Sequence, residues 1–338
     1  AVIGGAGFIG HHIALKLKEL GAEPHIFDSL QVNNLGAFTS GLHDGPTNDL
    51  YVSFIQDRLQ LLRDAKIPMH IVDARDYHMI GRHLDHVSPH AIVHLAAVAH
   101  ANRANKDPYN TFDHSLRTLE NVLDSVRVEK PHFIYFSSSM VYGNFDGEAV
   151  NEDRVCEPIG IYGALKFAGE KLVKAYNQVF DLPYTIIRPS ALYGERCVSR
   201  RVGQAFIENA LRGVDLTING NGTDRLDFTD SDDLVQGVIA SLLRPAAVNE
   251  IFNITYGEGR SLLELAEIVR AAFPNIKIQH NPRSALMPER GTLSIAKAKE
   301  LLGYAPANPI EVGFKHYMDW YRSFHNAHPE IFNLTSAK

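Results

Sequence analysis

The segment that decides the fold is GGAGFIG, residues 4–10, which directly follows a short apolar run. Its spaced glycines, Gly4, Gly7 and Gly10, permit a tight turn and a close approach of backbone amides to a ligand. The residues after the turn have the apolar periodicity of a helix. A strand, a glycine turn and a helix N-terminus in this order favour a phosphate group, since free N–H groups and a partial positive charge meet there. The alternative is a turn that merely joins a strand to a helix.

An acid about 20 residues further on supports a dinucleotide site. Asp28 ends the predicted strand PHIFD (24–28), where a carboxylate accepts hydrogen bonds from the ribose hydroxyls of NAD. A carboxylate there also repels the additional phosphate of NADP, which favours NAD. Asp73 ends the next strand, MHIVD (69–73), and we expect it to receive the adenine amino group. The alternative for Asp73 is a plain cap of the following helix.

The rest of the chain alternates apolar runs with amphipathic segments. Further strands are predicted at AVI (1–3), HAIVHLAA (90–97), HFIYFSSS (132–139), PYTIIRP (183–189) and NEIFNIT (249–255). Helices are predicted at about 8–20, 52–65, 109–128, 162–180, 201–212, 261–273 and 294–303, the last with Ser294 as N-cap and Gly303 as C-terminal stop. Strands alternating with helices predict an α/β fold with a doubly wound parallel sheet, covered on both faces.

The chain divides into two predicted parts. Residues 1–185 form a dinucleotide-binding domain, with an insertion at 31–68 that holds a polar, glycine-containing loop and an amphipathic helix. Residues 186–338 form mainly a smaller α/β part, interleaved with the first, that binds the substrate. Some segments of this second part are expected to return to the first sheet.

The composition excludes several classes of function. The 338 residues carry a net charge of −6 without a basic tract, so we expect no nucleic-acid partner. No apolar run approaches the ~20 residues that span a bilayer, so we expect no membrane insertion. Two cysteines, Cys156 and Cys197, cannot build a disulfide framework, which favours the cytoplasm. The spaced histidines at 83, 86, 90 and 94 are expected to straddle several elements, so no metal site is predicted.

Tyr162 and Lys166 are candidate catalytic residues. Their i, i+4 spacing near the start of a predicted helix places both side chains on one face. A tyrosine with a pKa near ~10 is a poor base at neutral pH, but an adjacent ammonium favours its phenolate. The pair could take a proton from a sugar hydroxyl while hydride leaves the same carbon for nicotinamide. Tyr-x-x-x-Lys is common on helices by chance, so the glycine turn upstream is what makes the pair significant.

In combination these motifs resemble the extended short-chain dehydrogenase/reductases, and among them the nucleotide-sugar epimerases and dehydratases, particularly the UDP-hexose 4-epimerases. The resemblance covers nearly the whole chain and includes HLAA (94–97), SSSMVYG (137–143), YGALK (162–166), IIRPSALYG (186–194), RLDFTDSDDL (225–234) and KELLGYAP (299–306). It implies a Rossmann-type fold with further NAD contacts from Phe8, Ile9, Ala74, Leu95, Ala96 and Ala97, besides Tyr162 and Lys166.

The resemblance also selects one serine and one informative methionine. The family's catalytic serine or threonine stands four residues before the tyrosine of Val-Tyr-Gly, which implies Ser138, with Ser139 as a neighbouring substrate residue. In the 4,6-dehydratases and uronate decarboxylases an acid commonly precedes Val-Tyr-Gly, where this chain has Met140. Because a thioether cannot exchange a proton, Met140 disfavours acid-assisted elimination.

Two arginines are implied as diphosphate ligands, Arg225 in GTDRLDF and Arg290 in PERGTL. The alternative for Arg225 is a surface ion pair with Asp224, Asp227 or Asp230. The acids at 224, 227, 230, 232 and 233 could suggest a metal site, but Ser231 as N-cap with acids in the first helical turn explains part of the cluster. The chain departs from the family pattern at Ala191, where an asparagine often contacts the diphosphate, and at His114 and Ile3.

The expected function is therefore NAD-dependent epimerisation, at C4, of a nucleoside-diphosphate sugar through a transient 4-keto intermediate. The alternatives are a nucleotide-sugar dehydrogenase or ketoreductase, and, less favoured, a 4,6-dehydratase. A dinucleotide-sensing protein without turnover would have little reason to keep Ser138, Tyr162 and Lys166 together. The resemblance further implies a homodimer, in which the helices at 109–128 and 162–180 form a four-helix contact.

Overall fold

The computed structural model describes residues 1–39, 47–99, 101–147, 149–282 and 288–332, so part of the insertion at 31–68 lies outside the described residues. Its strands are β1 (Val2–Ile3), β2 (Ile26–Asp28), β3 (Met69–Ile71), β4 (Ala91–His94), β5 (His132–Phe136), β6 (Tyr184–Arg188), β7 (Leu192–Tyr193), β8 (Leu216–Asn219), β9 (Arg225–Asp227), β10 (Thr229–Asp230), β11 (Glu250–Asn253), β12 (Gly259–Ser261) and β13 (Ile278–Asn281).

The helices follow in the same chain order. They are α1 (Phe8–Glu19), α2 (Leu35–Thr39), α3 (Asn48–Asp64), α4 (Tyr77–Val87), α5 (Ala101–Lys106), α6 (Pro108–Phe112), α7 (Thr118–Ser125), α8 (Gly160–Phe180), α9 (Val202–Leu211), α10 (Ser231–Leu243), α11 (Leu262–Ala272), α12 (Ala296–Leu302), α13 (Ile310–Ala327) and α14 (Pro329–Phe332). A π-helical turn spans Asp113–Arg117, and 3-10 turns span Ser139–Tyr142 and Pro245–Ala247. None of the described helices is long and apolar enough to cross a membrane.

A seven-stranded parallel sheet in the order β11-β6-β5-β4-β1-β2-β3 confirms the predicted fold class. Successive strand residues point to opposite faces. Ile3, Ile92 and Phe133 pack with α4, α7 and α8, while their neighbours Val2 and Val93 pack with α1, α10 and α12. Both faces are therefore covered, as the continuous apolar runs predict.

The second part of the chain has a core of its own. It contains the β8–β13, β9–β12 and β7–β10 pairs together with α9, α11 and α13. The insertion helix α3 joins this core, because Tyr51, Phe54 and Ile55 are buried in the same cluster as Phe206 and Phe314. A helix that lies early in the sequence thus bridges the glycine-turn region and the later half.

Several predicted boundaries and caps are wrong. The strand predicted to 139 ends at Phe136, and the helix predicted over 109–128 is broken by the π-helical turn. Asp230, not Ser231, caps α10, since its side chain accepts from the Asp232 N–H at 2.8 Å. Ile295, not Ser294, is the N-cap position of α12, whereas Gly303 ends that helix in the left-handed conformation as predicted.

Candidate active site

The candidate site lies at the carboxyl ends of the central strands, where the strand order reverses at β1 between β2 and β4. Ligands of open α/β sheets bind at this kind of position. A first cavity runs along the glycine turn, and every residue predicted to contact the dinucleotide lines it: Gly4, Gly7, Phe8, Ile9, Gly10, Asp28, Asp73, Ala74, Leu95, Ala96, Ala97, Tyr162 and Lys166.

A second cavity lies on the side of the smaller part. The four residues predicted to contact the substrate line it: Ser138, Ser139, Arg225 and Arg290. A small set of residues lines both cavities: Ala99, Tyr162, Pro189, Leu192 and Arg201. The two cavities therefore meet at Tyr162, so a group bound in one is next to a group bound in the other.

The glycine turn is shaped for close approach. Gly4 has a φ of +79°, and a Cβ there would lie 2.9 Å from the backbone nitrogen of Ala96. A Cβ on Gly10 would lie 2.5 Å from the Cα of Gly5. Gly7, the N-cap of α1, makes no side-chain capping bond, so the first N–H groups of that helix are open to a ligand. These features fit the pyrophosphate of a dinucleotide.

Asp28 both faces the first cavity and braces the turn. Its Oδ2 accepts from the Ala6 N–H at 3.0 Å, and its Oδ1 accepts from the Leu30 N–H at 2.7 Å. Burial raises the pKa of Asp28, and these two hydrogen bonds oppose that rise. The carboxylate is thus held in one orientation at the end of β2, where it lines the first cavity.

Asp73 is not the cap of the following helix, because Asp76 takes that position and accepts from the Met79 N–H at 3.0 Å. Asp73 instead pairs with Arg75 at 2.6 Å. Although burial opposes it, the hydrogen bonds from Arg75 hold the pKa of Asp73 below its usual range. His114, one of the departures from the family pattern, lies in the π-helical turn and lines the same cavity.

Arg58 on α3 is a buried residue that the motif analysis missed. Its Nη1 donates to the Ala6 carbonyl at 3.4 Å, and its Nε and Nη2 donate to the Arg196 carbonyl at 3.0 and 2.6 Å. It therefore ties the glycine turn to the loop that precedes α9. The available signal was its position on the apolar face of the helix, four residues from both Phe54 and Leu62.

Tyr162 and Lys166 lie in the first two turns of α8, and both line the first cavity. The Lys166 ammonium donates to the carbonyl oxygen of Phe136 at 2.7 Å, at the end of β5. Burial lowers the pKa of Lys166 to about 8, and the negative charge of Glu170 opposes this shift. A cation is thus fixed one helical turn from the phenol, as the i, i+4 spacing predicts.

The three serines of SSSMVYG have different surroundings. Ser137 donates to Oε1 of Glu170 at 2.5 Å and lines the first cavity. Ser138 lies at the N-cap of the 3-10 turn, where its Oγ accepts from the Met140 N–H at 3.2 Å. Ser138, Ser139 and Met140 all line the second cavity. Adjacent serines therefore line different cavities: Ser137 lines the first, and Ser138 and Ser139 line the second.

Arg225 lies on β9 with its side chain 51% exposed at the rim of the second cavity. It donates to the Gly259 carbonyl and approaches Glu264 at 3.9 Å, an ion pair that the sequence analysis did not name. Two of the aspartates considered as partners are engaged elsewhere: Asp227 accepts from Thr255 at 3.0 Å, and Asp230 caps α10.

Arg290 and Arg201 face the same cavity. Nη1 of Arg290 lies 3.5 Å from Oγ of Ser139. Burial and, to a smaller extent, the positive charge of Arg201 lower the pKa of Arg290 to about 10. The sequence analysis missed Arg201, because no motif marks it. Within the described ranges, no group of three potential ligands is arranged to hold a metal ion.

Comparisons with known proteins identify the family of this chain. A model described as "NAD dependent epimerase/dehydratase family" matches residues 1–255. UDP-glucuronate 4-epimerase 1 of Arabidopsis thaliana is 27% identical, covering 96% of this chain and 76% of the relative. A putative UDP-glucose 4-epimerase of Methanocaldococcus jannaschii is 29% identical, covering 95% of this chain and 98% of the relative.

The fold is also similar to that of a solved epimerase structure. The crystal structure of UDP-glucuronic acid 4-epimerase from Bacillus cereus, in complex with UDP-glucuronic acid and NAD, is similar with a TM-score of 0.84. It is 25% identical, and the match covers 96% of this chain and 98% of that one. Because the family model covers most of the sequence, the chain belongs to the NAD-dependent epimerase/dehydratase family.

Proposed function

We propose that the protein is an NAD-dependent epimerase that inverts C4 of a nucleoside-diphosphate sugar. The observation that carries this proposal is the shared wall of the two cavities, on which Tyr162 lies. A sugar held in the second cavity would meet both the phenol and the nicotinamide end of the first cavity. The relatives named as UDP-glucuronate and UDP-glucose 4-epimerases support UDP as the nucleotide.

Three side chains carry the acid–base chemistry in this proposal. The Ser138 hydroxyl donates a hydrogen bond to the sugar O4, and the Tyr162 phenolate accepts the O4 proton. The Lys166 ammonium, one turn along α8, stabilises the phenolate. NAD, when bound, accepts the hydride from C4 and later returns it. Tyr162 then gives its proton back to O4, so the sugar leaves with the opposite configuration and no net redox change.

Other residues would bind NAD and the nucleotide sugar and fix their relative positions. Asp28 would accept from the adenosine ribose hydroxyls, and the open N–H groups of α1 would bind the pyrophosphate. Arg225 and Arg290 would bind the substrate diphosphate, and Ser139 would bind the sugar. The diphosphate must stay anchored while the 4-keto sugar turns over. Two cationic side chains in one cavity support that requirement.

Met140 favours epimerisation over elimination. It lines the second cavity at the position where the dehydratases of the resembled family commonly have an acid. Asp224 is the only carboxylate among the described residues that line this cavity, and it directly precedes Arg225. Among the described lining residues, no carboxylic acid other than Asp224 could therefore protonate a leaving hydroxyl of a 4-keto sugar.

A labelling experiment tests the proposal. UDP-glucose and UDP-glucuronate deuterated at C4 are incubated with purified enzyme that retains its NAD. We expect the C4 epimer to form with the label kept and without free NADH, because the hydride does not leave the enzyme. Label that appears in free NADH in proportion to product would instead identify a dehydrogenase. A Tyr162→Phe preparation serves as the control for background exchange.

We further propose that the protein forms a homodimer. We also propose that it resides in the reducing cytoplasm, which its two cysteines favour. Tyr109 and Phe112 on α6 are 81% and 47% exposed, and Ile161 and Val179 on α8 are 37% and 69% exposed. These apolar side chains lie on the two helices that pair between subunits in the resembled family. A two-fold contact would bury them. Light scattering at micromolar concentration checks the assembly, and a monomeric mass would contradict it.

A further inference from the structure

Arg201 occupies an unusual position in the molecule. It is the only charged residue among the described residues that line both cavities, beside Tyr162 on their shared wall. Its Nε donates to the Ser199 hydroxyl at 3.2 Å, and no carboxylate lies within ion-pair distance of its guanidinium among the described residues. A guanidinium held this way in a cavity has donors left for an anionic ligand.

The surroundings of Arg201 add to its positive potential. Arg201 is the N-cap residue of α9, where no side chain caps the helix. Val202, Gly203 and Gln204, the first residues of that helix, line the second cavity. The partial positive charge of the helix N-terminus thus adds to the guanidinium. Arg290 lies in the same cavity, where Arg201, Arg225 and Arg290 outnumber Asp224, the only carboxylate among the described lining residues.

Position along the cavity distinguishes the arginines. Arg201 shares its wall with Tyr162 and is therefore at the end where the sugar reacts. Arg225 lines only the second cavity, on β9 beside Leu226 and away from the shared wall. A diphosphate that joins a nucleoside to a sugar has one phosphate nearer each end. Arg201, which lines both cavities, and Arg225, which lines only the second, lie in that order relative to Tyr162.

We propose that Arg201 binds the sugar-proximal phosphate of the nucleotide sugar and thereby sets the distance between the reacting carbon and Tyr162. This inference rests on the proposed function, because it assigns one further ligand within the same substrate site. Arg225 then binds nearer the nucleoside end. Arg201 would fix the sugar-proximal phosphate near the shared wall of the two cavities. The sugar ring could then rotate about its bond to that phosphate while C4 stays beside the Tyr162 phenol.

The test compares UDP with UMP, which lacks the sugar-proximal phosphate, by calorimetric titration of the NAD-bound enzyme. Arg201→Gln should weaken UDP binding by roughly 10- to 100-fold, the loss of one charge-assisted hydrogen bond. The same variant should bind UMP as the wild type does. Arg225→Gln should weaken both ligands. Arg200→Gln is the matched control, since Arg200 is 48% exposed and lines neither cavity.

Each alternative has its own outcome. If Arg201→Gln weakened the binding of UDP and of UMP equally, Arg201 would only position the loop that precedes α9. That result would overturn the inference. Unchanged UDP binding with weakened UDP-glucuronate binding would move the contact to a sugar carboxylate, which also overturns it. A wild type that binds neither UDP nor UMP would contradict the proposed function itself. Melting temperature and NAD content of each variant establish that the fold and the first cavity are intact.

Discussion

Glu170→Gln tests the buried ion pair that anchors α8 to the sheet. Glu170 and Arg188 are 1% and 3% exposed, with Oε2 to Nη2 at 2.7 Å and Oε1 to Nε at 2.9 Å. Ser137 donates to the same carboxylate. Glutamine keeps the volume but removes the negative charge, and its amide places N–H donors against the guanidinium. The Arg188 charge would remain buried without its partner.

The expected loss is large because the remaining charge keeps its desolvation cost. Removing one partner of a buried pair costs about 3–5 kcal/mol. An unfolding entropy of ~2.1 cal/mol/K per residue corresponds to ~0.7 kcal/mol/K for the 338 residues, so Tm should fall by ~4–7 °C. Scanning calorimetry at pH 7 on the NAD-free protein measures it. A variant that melts within ~1 °C of the wild type would refute the reasoning.

A control and a second readout sharpen the experiment. Glu267→Gln removes an exposed pair, Glu267–Arg270 at 2.6 Å, which should change Tm by less than ~1 °C because surface pairs contribute little. The second readout is the pH profile. Glu170 opposes the burial that lowers the pKa of Lys166, so its loss should lower that pKa further. The alkaline limb of kcat should then move to lower pH.

Three further predictions follow from the site and its surroundings. Tyr162→Phe should lower turnover by ~10²-fold or more while NAD stays bound, and near-normal turnover would exclude Tyr162 as the base. Arg58→Met should speed NAD dissociation about tenfold, since the glycine turn loses a donor to the Ala6 carbonyl; unchanged NAD release in stopped flow would count against this role. Burial raises the pKa of Asp230 to about 7, so the native state disfavours its ionised form and stability falls as pH rises from ~4 through 7. Asp230→Asn, which keeps a capping oxygen, should therefore raise Tm at pH 8 and lose that gain near pH 4; a gain independent of pH would contradict the assignment.

Elements with strong local patterns were predictable. Three features depend only on residues close together in the chain: the glycine turn, the apolar strand runs and the Tyr162–Lys166 spacing. Backbone geometry determines which side chains of such a short segment share a face. The same locality explains why helix ends were less accurate. Asp230 and Ser231 are adjacent capping residues, and only the path of the chain into the helix decides which of them accepts the first N–H.

The packing of the insertion helix α3 could not be predicted from local sequence patterns. The amphipathic pattern of α3 predicts a helix with a buried face but does not specify what covers that face. The structure packs it against α9 and α13, and this places Arg58 within reach of two carbonyls about 50 and 140 residues away in sequence. Such contacts depend on long-range packing, which no sequence window contains.

The sequence by itself determined the α/β class, the dinucleotide turn with its acid, and which residue types were candidates for acid–base chemistry. Each of these follows from spacing along one strand, turn or helix. Only the tertiary structure decided that the two cavities share the wall at Tyr162, and that Arg201 and Arg290 both line the second cavity. It also decided that the ion-pair partner of Arg225 is Glu264. The physical reason is that charge and hydrogen-bond partners meet through folding of distant segments, whereas propensity and periodicity act within a few residues.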